Sequence, residues 1–164
     1  MNLRPNQKQI QAFIITFLII SLIVCFGCSK EETQDRTETV TEIHWLTDLD
    51  KAMTLSEKQG KPLMIDFMAE WCPPCQKMEK TTFNQPNVIR KTSDFITLRI
   101  DVDKQGAIAD KYNCNAGKYG GIGIPNILFM DHNENRIKHI IGYRDPENLI
   151  AVMDSVLTMA KSVR

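Results

Sequence analysis

The sequence predicts an α/β domain, a central mixed sheet flanked by helices, behind an N-terminal signal or anchor segment. Three observations point there. Apolar runs of strand length alternate with stretches of helical periodicity. One such run, residues 63–69, delivers the chain directly to Trp71-Cys72-Pro73-Pro74-Cys75, where a helix starts on the two cysteines. Two further strand-like runs near the C-terminus are joined by Asp131-His132-Asn133-Glu134-Asn135, a hairpin turn by composition.

With 164 residues, 43% hydrophobic and 24% charged, the chain suits one small domain plus appendages. A formal net charge of zero gives no bulk electrostatic reason to recruit nucleic acid or an acidic surface. There is no phosphate-cradling glycine loop and no internal repeat, and no cofactor is expected.

Residues 1–10 are polar, with Arg4 and Lys8 as their charges, and residues 12–27 are apolar apart from Thr16 and Ser21. A basic start followed by an apolar run is the pattern of a secretory signal. The run is slightly shorter than the roughly 20 residues of a comfortable membrane span. Cys25-Phe26-Gly27-Cys28 resembles a bacterial lipobox, with small Gly27 before the cysteine that would be lipidated; Cys25 and Phe26 depart from the usual pattern. The expectation is therefore a lipoprotein signal over 1–27 with lipidation at Cys28, the alternative being an uncleaved signal anchor. Either leaves the remainder exported, on the periplasmic or outer side of a bacterial membrane. Residues 28–42 have little to bury and read as a flexible tether, holding a domain over 43–164 on the order of 20 Å from its anchor.

Within that domain, Asp48 can cap a helix with Leu49, Ala52, Met53 and Leu55 at helical spacing, ended by Gly60. Lys61-Pro62 leads into the central strand. After the cysteine helix, 84–87 reads as a turn, 88–92 as a short helix, 95–101 as a strand and 107–112 as a helix. Asn126–Met130 and Arg136–Ile141 are the hairpin strands. Asp145-Pro146-Glu147 opens a last helix with a buried stripe of Leu149, Val152, Met153, Val156 and Leu157.

The chemistry sits at Cys72 and Cys75. A helix N-terminus carries unpaired N–H groups and a partial positive charge, so it favours the thiolate, the reactive form of cysteine. Two intervening residues bring Cys75 one helical turn on, within disulfide reach. Pro73 and Pro74 fit the first helical turn and remove two donors, leaving the Cys75 N–H and the dipole to hold the Cys72 sulfur. Cys72 is expected to be solvent-accessible with a depressed pKa, and Cys75 buried. A zinc-binding pair is the alternative, but a second ligand pair is wanted, and the sequence offers lone Cys114 and scattered His44, His132 and His139.

From about Ile43 to Lys161 the element order and Trp-Cys-X-X-Cys resemble the thioredoxin family. Asp66-Phe67-Met68-Ala69-Glu70-Trp71-Cys72 is similar to its approach to the active site, and Gly123-Ile124-Pro125 to its cis-proline loop. Residues 75–83 and Ile141-Gly142-Tyr143 are similar to a subgroup, the C-terminal periplasmic domain of the transmembrane disulfide reductase DsbD. The resemblance implies a thioredoxin fold and a redox-active Cys72–Cys75 disulfide. Cys72 would attack, Cys75 would resolve, and buried Asp66 would accept the Cys75 proton. It also implies a substrate groove beside Ile124 and a cis Pro125. Trp71 would cover the disulfide or pack as a core aromatic.

Three departures stand out. Thr97 occupies the place of the lysine that neighbours the buried aspartate in many thioredoxins, with Arg99 two residues on along the same strand face. The helix-kinking proline is replaced around Lys80. Residues 113–121 are extra, and either shape partner choice or form a tolerated surface loop. Cys25 would leave with the signal, and Cys114 remains, buried or reactive. Met53, Met64, Met68, Met78, Met130 and Met153 read as core filler rather than copper ligands.

The function implied is a membrane-tethered envelope thiol–disulfide oxidoreductase. It would reduce disulfides of exported proteins and be resupplied by an upstream membrane electron donor. The alternatives are a disulfide oxidase or isomerase, and a thiol-based metal or haem-maturation chaperone.

Overall fold

The computed structural model describes residues 41–162, so the signal and lipidation expectations, and all but the end of the tether, lie outside the described residues. Helix α1 (Leu49–Gln59) starts where expected: the Asp48 carboxylate accepts from the Lys51 N–H at 3.0 Å. It stops at Gly60, whose φ of 62° is the left-handed conformation that glycine adopts without a Cβ penalty. Strand β1 (Leu63–Met68) follows, then α2 (Pro73–Met78), a π-helical turn over Glu79–Phe83 and α3 (Pro86–Thr92). Helix α3 begins two residues ahead of expectation because Pro86, read from sequence as part of a turn, fits the first helical position.

Next come β2 (Ile96–Asp101), α4 (Gly106–Lys111) and a 3₁₀ turn over Gly117–Tyr119. The hairpin strands β3 (Asn126–Met130) and β4 (Arg136–Ile141) have the bounds read from the sequence. The last helix, α5 (Pro146–Ser162), is capped by Asp145, which accepts from the Asn148 N–H at 2.9 Å.

The four strands lie in the order β2-β1-β3-β4. Strand β1 runs parallel to β2 and antiparallel to β3, and β3 is antiparallel to β4. This is the thioredoxin fold, with a mixed sheet between two helical layers. Because side chains alternate across a strand, β1 divides its residues between two cores. Leu63, Ile65 and Phe67 join Ile96, Leu98 and Ile100 against Ala52 of α1 and Ala109 of α4. Met64 faces the other way, into Met78, Phe83, Val88, Ile89 and the α5 side chains Leu149, Met153 and Val156. Fully burying three side chains of that size is worth roughly 5–9 kcal/mol, enough to hold a helix that would be marginal alone. Val152 and Leu157, the rest of the expected stripe, are half-buried.

The same alternation sends Asp66 of β1 and Arg99 of β2, paired in register, to the second face. Among the described residues no helix is long and apolar enough to cross a membrane.

Candidate active site

Strand β1 ends at Met68, and Ala69 turns the chain by accepting the Cys72 N–H at 3.1 Å. Cys72 then sits at the N-cap of α2 in an extended conformation, with Pro73 and Pro74 filling the first two helical positions. With those donors gone, the Cys75 N–H points at the Cys72 sulfur, 3.3 Å away. The two cysteines form a disulfide with a Cα–Cα distance of 5.3 Å, inside the range that needs no backbone movement.

The expected contrast in exposure is absent. Cys72 is 2% exposed and Cys75 5%. In the disulfide the Cys72 sulfur is turned toward its partner and lies 3.7 Å from the Ile124 carbonyl oxygen. That carbonyl belongs to the Ile124–Pro125 peptide bond, which is cis, as expected for the loop facing the cysteines. The loop is pinned on both sides. Pro125 accepts from the Gly142 N–H at 2.7 Å, and the Asn126 side-chain amide donates to the carbonyls of Gly123 and Cys114.

Asp66, 2% exposed, lines the same cleft as Cys75. Among the described residues its Oδ1 has no hydrogen-bond partner, while Oδ2 accepts from Arg99 Nε at 3.0 Å. Burial pushes the Asp66 carboxyl up to about 6, against the lowering pull of the Arg99 cation. Loss of hydration thus outweighs the ion pair. Arg99 also donates through Nη2 to Glu79 at 2.7 Å, and its guanidinium stacks 4.2 Å above the Trp45 ring. It therefore fills the place beside the aspartate that sequence comparison gave to Thr97, whose hydroxyl donates instead to the His44 carbonyl. A cleft of about 260 Å³ opens here, lined by Asp66, Cys75, Met78, Glu79, Arg99 and Pro125 among others.

Glu79 was missed from sequence. The available signal was its spacing from Cys75, four residues on and so on the same helix face. The π-helical turn was missed too; it stands where a kinking proline was absent. Such turns hold i→i+5 hydrogen bonds and change a helix's direction without proline. Here one carries Glu79 to Arg99 and Phe83 into the core, its ring edge-on to Trp45 at 5.2 Å.

Trp71 is not a core aromatic: it is 44% exposed, and its indole N–H donates to Asp103 Oδ2 at 2.6 Å. The extra segment folds against it. Tyr119 donates its hydroxyl to Asp103 Oδ1 at 2.5 Å, and the Lys118 ammonium lies 3.7 Å from the centre of the Trp71 ring. Cys114 is fully buried, its sulfur 3.4 Å from the Tyr112 carbonyl oxygen and 3.5 Å from His139 Nε2. Burial pushes its thiol up to about 12.

Similarity to known proteins agrees with this geometry. The family model described as thioredoxin-like matches residues 44–132. The chain belongs to the thioredoxin-like family. Among its relatives, the thiol:disulfide interchange protein DsbD of Cronobacter sakazakii is 34% identical over 124 residues, covering 73% of this chain and 20% of that protein. The chain thus spans about a fifth of the length of the curated relatives it matches. The C-terminal domain of Neisseria meningitidis DsbD in its oxidised form is 26% identical with a TM-score of 0.53, covering 68% of this chain and 97% of that one. A Thermus thermophilus thioredoxin shares the fold at a TM-score of 0.61 and 20% identity, over 74% of this chain and 92% of that one. The arrangement at Cys72 and Cys75 is that of a thioredoxin-like thiol–disulfide oxidoreductase.

Proposed function

We propose that this thioredoxin-like protein reduces disulfides of exported proteins through Cys72 and Cys75. The observation that carries the reading is the Cys72–Cys75 disulfide at the start of α2, with a buried Asp66 lining the same cleft as Cys75. In the dithiol form, the Cys72 thiolate attacks one sulfur of a client disulfide. The second client sulfur leaves as a thiolate and takes a proton, and a mixed disulfide remains. Cys75 then gives its proton to Asp66 and attacks the Cys72 sulfur. The first client sulfur departs, the protein disulfide re-forms, and two electrons have passed to the client. Near its own pKa a carboxylate both takes and releases a proton readily, so a value near 6 suits Asp66 to this task. A dithiol donor on the membrane side would restore the starting state.

The likeness to DsbD supports the reducing direction, as does Ile124 before the cis-proline; Pro73 and Pro74 remove two donors from the thiolate, while their rigidity favours a preformed disulfide. Anchoring through lipid at Cys28, with residues 29–42 as tether, is the part of the proposal that rests on sequence alone.

Cys75→Ala should trap clients as mixed disulfides on Cys72, and the wild-type chain should be mostly reduced in the cell. Measured against glutathione, the couple is expected on the reducing side of about −200 mV; a value near the roughly −120 mV of a strong periplasmic oxidant would overturn the direction. Cys28→Ser should block processing and leave a larger precursor; a product of normal size would point to a signal anchor.

A further inference from the structure

The segment 113–121 is a built structure beside the disulfide. Its base is fixed: the Asn115 amide donates to Asp110, and the Asn115 carbonyl accepts from the Gly123 N–H at 3.0 Å. Gly121 packs so closely on Asn115 that a Cβ there would lie 2.2 Å from the Asn115 carbonyl oxygen. The tip, the 3₁₀ turn Gly117–Tyr119, is held by one carboxylate. Asp103 accepts from Tyr119 on one oxygen and from Trp71 on the other, and Lys118 approaches it at 3.5 Å. Trp71 is the residue immediately before Cys72, so this tie sets the turn against the reactive pair.

The turn presents an aromatic ring beside a cation: the Lys118 ammonium lies 4.7 Å from the centre of the Tyr119 ring and 3.7 Å from that of Trp71. Among the described residues four large hydrophobic side chains are exposed, and three of them are Trp71, Tyr119 and Ile122. Ile122 in turn precedes Gly123-Ile124-Pro125, whose Ile124 carbonyl faces the Cys72 sulfur. Trp71, tied to Tyr119 through Asp103, thus adjoins Cys72 in sequence, and the cis-proline loop meets the Cys72 sulfur, with Ile122 between Tyr119 and that loop in sequence. Exposed aromatics clustered at a reactive centre mark a contact surface, and tyrosine offers a large area for little ordering entropy.

We infer that Tyr119 is a specificity-determining residue: its ring contacts the client polypeptide next to the disulfide under attack and selects clients with a bulky apolar side chain there, while Asp103 is the positioning residue that holds Tyr119 against Trp71. This rests on the disulfide-exchange reading above. Each oxygen of Asp103 is committed to one of the two aromatic donors, so removing the carboxylate frees the turn without touching either ring.

The test uses the full-length chain, reduced and freed of reductant, and three oxidants. These are a peptide with one intramolecular disulfide and Phe beside a cysteine, the same peptide with Ser in that place, and hydroxyethyl disulfide. Wild-type protein should oxidise faster with the Phe peptide than with the Ser peptide, by about fivefold, the size of one aromatic contact. Tyr119→Ala should bring that ratio close to one, and Asp103→Ala should reduce it at least twofold with Tyr119 still present. A wild-type ratio of one overturns the inference. So does a Tyr119→Ala protein that slows equally with all three oxidants, which would make the turn a structural support. A wild-type chain inert toward all three, hydroxyethyl disulfide included, would overturn the exchange reading and the inference with it.

Discussion

The described residues hold three cysteines in two settings, and burial does not tell them apart. Cys72 and Cys75 are 2% and 5% exposed, Cys114 is 0% exposed, and all three belong to the same apolar cluster. The difference lies in what each sulfur faces. Cys72 caps a helix and receives the Cys75 N–H, so a negative charge there has a donor and a dipole waiting. Cys114 faces the Tyr112 carbonyl oxygen and His139, and loss of hydration holds its thiol up at about 12. All three sulfurs are buried, and Cys72 differs in having a donated N–H and a helix N-terminus to hold a negative charge.

Removing the nucleophile tests that contrast most severely. Cys72→Ala should reduce disulfide exchange by about a thousandfold or more, since one residue carries the covalent step. A variant retaining a tenth of the wild-type rate would show that another sulfur can substitute, and Cys114 would be the first suspect.

The next effect belongs to Asp66. Its pKa is about 6 in the fold against 3.8 as the reference for the unfolded chain, so the folded state holds a proton more tightly between those values. The stabilisation from that protonated form is fully present below pH 4 and is lost as pH rises through about 6. Relative to Asp66→Asn, the wild type should lose up to about 3 kcal/mol of stability across that window. Urea titrations at pH 4 and pH 8 would read it, and an equal difference at both pH values would argue against a buried, titrating carboxyl. In exchange assays the same variant should lose the kinetic step with a midpoint near pH 6.

Arg99→Met should act in the same place with a smaller amplitude. Without the cation that lowers it, the Asp66 carboxyl should rise further, moving the acid limb of the pH–rate profile upward by about one unit. Should the limb stay where it is, the ion pair at 3.0 Å is structural and Asp66 is tuned by burial alone. The smallest change is expected at the other cysteine. Cys114→Ala should cost about 1 kcal/mol by leaving a small cavity, with exchange kept within twofold. A large kinetic effect would erase the contrast between the two settings.

Much of this was legible before the structure. The caps at Asp48 and Asp145, the stop at Gly60 and the hairpin bounds follow from local chemistry, which a sequence states outright. The active pair was legible for the same reason: prolines after Cys72 and a buried strand before it leave few other conformations. What escaped depended on side chains meeting across elements. Arg99 was placed on the right face, but whether it or Thr97 stands beside Asp66 is a matter of strand register. Glu79 reaches Arg99 only because of the π-helical turn, and no residue in 79–83 announces that turn. The exposure of Cys72 depended on its oxidation state and on the Ile124 carbonyl, neither of which a linear sequence displays.

That turn also ties the acid network beside the cysteines to the second core. A residue deleted from 80–82 would rotate the end of this helical run by about 100°, swinging Phe83 off Trp45 and out of the second core. The cysteines upstream, fixed by β1 and their own cap, would stay where they are. Length changes in this stretch would therefore alter both how the domain packs and how Glu79 holds Arg99 beside Asp66. The wide turn is a coupling element: its first residue, Glu79, holds the arginine that pairs with Asp66, and its last, Phe83, sits in the second core.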